Sequence, residues 1–142
     1  MKIANGTTEM YKSDTIGGVQ PEAGEGPGPF VMGASTLIGN EVVDHQAEVL
    51  GKVTEIMLDV LSGRLAYAVL SFGGFLGMGE KLFAVPWSAL VLDTMNKRFM
   101  LDVDKERFES APGFDKNHWP DMANPEWAAD IHAYYGRAMY SV

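Results

Sequence analysis

Residues 64–72 (RLAYAVLSF) constrain this chain more than any other stretch. In an extended strand successive side chains point to opposite faces. Leu65, Tyr67 and Val69 therefore face one way, and Ala66, Ala68, Leu70 and Phe72 the other. Both faces are apolar, so the strand needs cover on both sides and belongs at the centre of a sheet. Four glycines follow within seven positions (Gly73, Gly74, Gly77, Gly79), and then KLFAVP, a second apolar strand ended by Pro86.

The flanking pattern is of the same kind. Residues 36–44 (TLIGNEVVD) predict a short strand closed by the polar turn DHQAE. Residues 49–61 (VLGKVTEIMLDVL) predict a longer strand, with Gly51 as a bulge or a point of close approach. Ser62-Gly63 is a two-residue turn signal of the hairpin type. Trp87 to Leu90 form a single helical turn, and residues 90–93 and 98–103 form a last hairpin around TMNK. Short strands in close succession, with no long helix between them, predict a mainly β fold: a small antiparallel barrel or sandwich over residues 34–103. Closure into a barrel would remove exposed strand edges.

The two ends differ from this middle. Residues 1–33 alternate proline with glycine toward their end (Pro21, Gly24, Gly26, Pro27, Gly28, Pro29) and predict an irregular tail. Residues 104–142 predict a helical extension. Asp104 caps a short helix over DKERFESAP, and GFDKNHWPDM is a loop. Asn124-Pro125-Glu126 supplies a cap, a first-turn proline and a carboxylate at the positive end of a second helix, which runs to Tyr135 and stops at Gly136. Trp127, Ile131, Tyr134 and Tyr135 form an apolar stripe on it, and His132 is expected on its polar side.

Composition narrows the functions available. The 142 residues carry a net charge of −8 and no cysteine. Such a surface repels nucleic-acid phosphate and anionic lipid, and no disulfide or thiolate chemistry is possible. The N-terminus lacks the apolar core of a signal peptide and no segment is apolar enough to span a bilayer, so a cytoplasmic protein is expected.

The glycine loop is not a phosphate cradle. Gly74 and Gly79 have the spacing of a Walker-type loop, but Glu80 stands where a lysine is required, and a strand follows where a helix is required. Asp115, His118 and Asp121 recur at three-residue intervals, yet Pro120 breaks any helix that would align them on a metal. His45 and Glu48 flank a turn. No catalytic, cofactor-binding or metal-binding residue is assigned. Large apolar residues at the loop tip either fold back on the core or meet another chain. The candidate partner surface is thus Phe75, Leu76 and Met78 of the loop, with Trp119, Trp127, Tyr134 and Tyr135 of the extension.

Taken together, LIGNEVVD, EVLGKV, GRLAYAVLSFGGFLGMGEKLFAVPWSAL and RFMLDV resemble the PRC-barrel family, named for the cytoplasmic domain of the photosynthetic reaction centre H subunit and shared by a ribosome maturation factor. The C-terminal extension is similar to that of stand-alone bacterial members. The resemblance implies a small β-barrel that acts as a non-enzymatic protein-binding or assembly module. The apolar loop tip at Phe75-Leu76 and the aromatic stripe of the extension add the expectation of a homo-oligomer, a dimer being favoured. Two other expectations stand beside it. One is a small-ligand binder or enzyme with a pocket between barrel and extension lined by Trp119 and Trp127. The other is association with RNA or the ribosome, which the net charge opposes.

Overall fold

The computed structural model describes residues 2–3, 30–73 and 80–139. Phe75, Leu76 and Met78, and most of residues 1–33, lie outside the described residues. Among the described residues, eight strands and three α-helices follow in chain order: β1 (Lys2–Ile3), α1 (Ala34–Leu37), β2 (Glu41–Val43), β3 (Val49–Asp59), β4 (Arg64–Gly73), β5 (Glu80–Pro86), β6 (Leu90–Asp93), β7 (Arg98–Leu101), α2 (Lys105–Glu109), β8 (Phe114–Asp115) and α3 (Pro125–Tyr134). A 3-10 turn, Trp87–Ala89, separates β5 from β6 where Pro86 ends the ladder.

All eight strands join one sheet in the order β1-β6-β7-β2-β3-β4-β5-β8. As expected from its two apolar faces, β4 is central, pairing with β3 from Arg64 to Ser71 and with β5 from Tyr67 to Gly73. Its residues from Tyr67 to Leu70 are buried, and Tyr67, Ala68 and Leu70 share one core with Val42, Leu50, Phe83, Leu90, Phe99 and Phe108. Aromatic edges lock this core: Phe83 lies 4.6 Å from Phe108, and Trp87 lies 5.8 Å from Phe99, between ring centroids.

The mainly β fold, the hairpin order and the helical extension agree with the sequence reading, but four details differ. Residues 34–37 are helical, and the strand begins only at Glu41. Leu37 is drawn into the core, and the chain then turns at Gly39 and Asn40, which exchange hydrogen bonds of 2.7 and 3.0 Å with Val53. The loop after α2 contains β8, whose Phe114 and Asp115 pair with Leu82 and Lys81. Side chain at position 113 would collide with Lys81, the Leu82 carbonyl and Phe83, all within 3.0 Å, so a glycine there lets the extension reach β5. The sheet is not purely antiparallel, since β2 pairs with β7, and β1 with β6, in parallel. Finally, among the described residues the ladder does not close: β1 and β8 end it without pairing with each other. The enclosure of the core is completed by side chains of α2 and α3 instead of by a final row of backbone hydrogen bonds.

Gly51 is a point of close approach, as expected. A Cβ at this position would lie 2.3 Å from the Ser71 carbonyl oxygen of β4, and backbone on both sides leaves no room to yield. Gly51→Ala should therefore cost about 3 kcal/mol or more of stability, the upper range for overpacking a core. Chemical denaturation of the two proteins checks this, and an unchanged midpoint would contradict the close-packed β3–β4 contact.

Candidate functional site

Two regions carry unusual chemistry. The first is the seat of α3. Asn124 Oδ1 accepts from the Glu126 amide at 2.9 Å, Pro125 occupies the first turn, and Gly136 follows the last, as the sequence indicates. The apolar stripe then meets the sheet. Ile131 and Tyr135 are buried, and Trp127 packs edge-on against Tyr67 at 5.2 Å. Tyr134 turns instead to α2: its hydroxyl donates to the Arg107 carbonyl at 2.5 Å, while the Arg107 guanidinium lies 4.2 Å from its ring centre and donates to its carbonyl at 2.8 Å.

His132 departs from expectation. It is not on the polar side of the helix but 6% exposed, with Nε2 at 3.2 Å from the Tyr67 hydroxyl. The stripe is wider than four residues suggest, because residue 132 lies one turn beyond Ala128, which is also buried. Nδ1 is buried and no hydrogen bond of normal geometry reaches it, although the backbone of Arg137 and Ala138 lies close enough to favour its charged form. Burial pushes the His132 pKa below its ordinary value of 6.5, an effect that the Ala138 and Arg137 carbonyls only partly oppose. The neutral ring with its proton on Nδ1 suits these surroundings, since the Tyr67 hydroxyl can then donate to Nε2. The Tyr135 hydroxyl is likewise buried without a hydrogen bond of normal geometry. Desolvation, and secondarily Tyr134, push its pKa well above the usual phenol range.

The second region is the far end of the β3–β4 hairpin. Beyond Val53, β3 pairs only with β4, and before Tyr67, β4 pairs only with β3, among the described residues. The hairpin thus projects past the rest of the sheet. Its tip carries Leu58, Val60 and Leu61, which are 51%, 82% and 96% exposed. The turn beneath them is well ordered. Asp59 Oδ1 accepts from the amides of Leu61 (3.0 Å) and Ser62 (3.4 Å), the Asp59 carbonyl accepts from Gly63, and the Ser62 hydroxyl accepts from the Arg64 amide. Those amides hold the Asp59 carboxyl below its usual pKa.

A sequence model of the PRC-barrel domain matches residues 31–108, more than half of the chain. The chain belongs to the PRC-barrel domain family. Comparison of this PRC-barrel protein with curated proteins finds no match. Among solved structures it is similar to RimM of Pseudomonas aeruginosa, named as a 16S ribosomal RNA processing protein. The two share 16% identity over 53% of this chain and 45% of that one, with a TM-score of 0.37. The chain therefore spans less than half of that protein's length.

Among the described residues, those singled out from the extension do not form one exposed surface in this PRC-barrel protein. Phe75, Leu76 and Met78 fall outside the described residues. Tyr135 is in the core, Trp127 is half-buried on Tyr67, and Tyr134 is half-buried on Arg107. Trp119 is 43% exposed, its ring tilted against Phe114 at 5.0 Å between centroids, with its Nε1 donating to the Lys116 carbonyl. Asp115 and Asp121 accept from amides two residues on, and among the described residues no group of three or more histidine, aspartate or glutamate side chains is placed to hold a metal ion. His45 lies 3.6 Å from Asp102 on an open surface. No described helix is long and apolar enough to cross a membrane. The exposed tip was missed because residues 49–61 read as one strand; the signal was Val60-Leu61 standing directly before the Ser62-Gly63 turn.

His132 makes stability depend on pH. Its folded pKa is depressed, so the unfolded chain binds more protons once the pH falls below 6.5. The stabilisation is complete above that value and is lost on acidification, by at most about 1.4 kcal/mol per pH unit. His132→Gln, which retains a polar partner for Tyr67, should flatten this dependence between about pH 7.5 and 5.5 in denaturant titrations. An equally steep profile in the variant would remove His132 as its source.

Proposed function

We propose that this PRC-barrel protein is a non-enzymatic, cytoplasmic module that docks on a protein partner. The observation that carries the reading is the β3–β4 tip. Three large aliphatic side chains are presented to solvent on a turn fixed by four hydrogen bonds. Scattered single exposed aliphatics are ordinary, but a cluster on a projecting, preordered element marks an interaction site. Rigidity favours docking, because little conformational entropy is lost when the partner arrives. The net charge of −8 disfavours an RNA partner.

Histidine chemistry offers little support for the enzyme alternative. His132 faces Tyr67 in a buried seat, and the carboxylate near His45 is in open solvent. General acid–base catalysis needs such groups beside a substrate position.

A photo-crosslinking residue at position 60 tests the docking reading in native cells. Irradiation should give a covalent protein adduct that excess unmodified chain competes away, whereas the same probe at Glu109, exposed on α2, should not. No adduct at position 60, or equal adducts at both, would overturn the reading.

A further inference from the structure

The docking reading leaves open what occupies the tip, and the distribution of charge addresses it. Residues 52–66 contain Lys52, Glu55, Asp59 and Arg64, two acids and two bases, all exposed. They sum to zero, so the entire net charge of −8 lies outside the hairpin. Two copies approaching by any strongly acidic face repel each other, and a basic partner would be drawn to those faces in preference to a neutral one. The projecting hairpin is the place where like molecules can meet without that repulsion. Its chemistry is also self-complementary. Aliphatic side chains suit aliphatic side chains, and Asp59 stands directly opposite Arg64 in the ladder, so each copy brings both signs to the contact.

Resting on that reading, we infer that the tip is occupied by a second copy of this chain, packed tip against tip about a two-fold axis. A closed pair follows from the free edge of β3. The ladder that joins β3 to β4 is irregular, with register shifts between Val53 and Glu55, where β3 has the extra residue, and between Met57 and Leu58, where β4 has it. Such bulges twist an edge away from the flat geometry that edge-to-edge stacking needs, which leaves side-chain contact at the tip and no open-ended filament. Three aliphatic residues per copy bury less than the roughly 1,200 Å² of a standard interface, so the pair is weak, with a Kd of about 10 μM to 1 mM. Salt screens the repulsion between the acidic bodies, so raising the ionic strength strengthens the pair, whereas a basic partner on the acidic faces would be released.

Sedimentation equilibrium of the full chain reads this directly. The expected result is a monomer of 15.5 kDa in exchange with a dimer of twice that mass, tightened by salt. Val60→Asp, a turn substitution that places like charges across the axis, should raise Kd at least about tenfold with an unchanged denaturation midpoint, while Val31→Ser, also at an exposed valine, should not. Because the chain has no cysteine, Leu61→Cys gives a second measurement. Under an oxidant it should form disulfide dimers much faster than Val31→Cys. A chain that is monomeric at about 1 mM, or a dimer indifferent to Val60→Asp, overturns the inference. If the position-60 probe still captures a different protein, the docking reading survives without it; if it captures nothing, both fall.

Discussion

The backbone of β3 runs so close beneath the Ser71 carbonyl of β4 that nothing larger than hydrogen fits at position 51. This contact fixes the near end of the β3–β4 ladder and thereby the rest of it. On one side it sets Leu50 and Val53 into the core beside Leu70 and Phe83. Further along, it dictates where the hairpin leaves the sheet and becomes a two-stranded arm. Burial dominates at the fixed end, where side chains meet a core packed like a crystal. Further out, Ile56, Met57, Leu65 and Ala66 still pack against the core, and past them the ladder and the hydrogen-bonded Asp59 turn hold the tip.

The extension does for the core what a closed barrel would otherwise do. It reaches β5 through the close approach at Gly113, covers Phe83 with Phe108, and lays α3 across Tyr67. Its cost is polar. Two groups, His132 Nδ1 on α3 and the Tyr135 hydroxyl at its C-cap, are buried without a hydrogen bond of normal geometry. Each such group opposes burial by about 1–3 kcal/mol, which the apolar contacts of Trp127 and Ile131 must exceed. Arg107 and Tyr134 bind the two helices of the extension to each other, so the cover behaves as one piece.

Much of this was legible in the residues. The two apolar faces of β4 gave its central place, Asn124-Pro125 gave the start of α3, and Asp104 gave the cap of α2, whose carboxylate accepts from Arg107 at 2.9 Å. Local chemistry decides those features. What the sequence left hidden depends on distant partners. Residues 36–37 read as the start of a strand because Thr36 and Ile38 are β-branched, yet they close a helical turn over 34–37, where the pull of Leu37 into the core overrides propensity. Phe114 and Asp115 look like loop until β5 supplies a strand to pair with. The polar name of His132 hid its burial, and the apolar names of Val60 and Leu61 hid their exposure, because burial belongs to the fold and not to the residue type.

The strands at the two ends of the ladder have a practical consequence. Both β1 and β8 come from outside residues 31–108, the part that matches the family. Trimming the chain to that part would strip β6 and β5 of their outer neighbours and bare two rows of unpaired amides and carbonyls, the templates on which chains aggregate. The evolutionary unit and the smallest well-behaved fragment are therefore different objects, and the latter must retain both flanks.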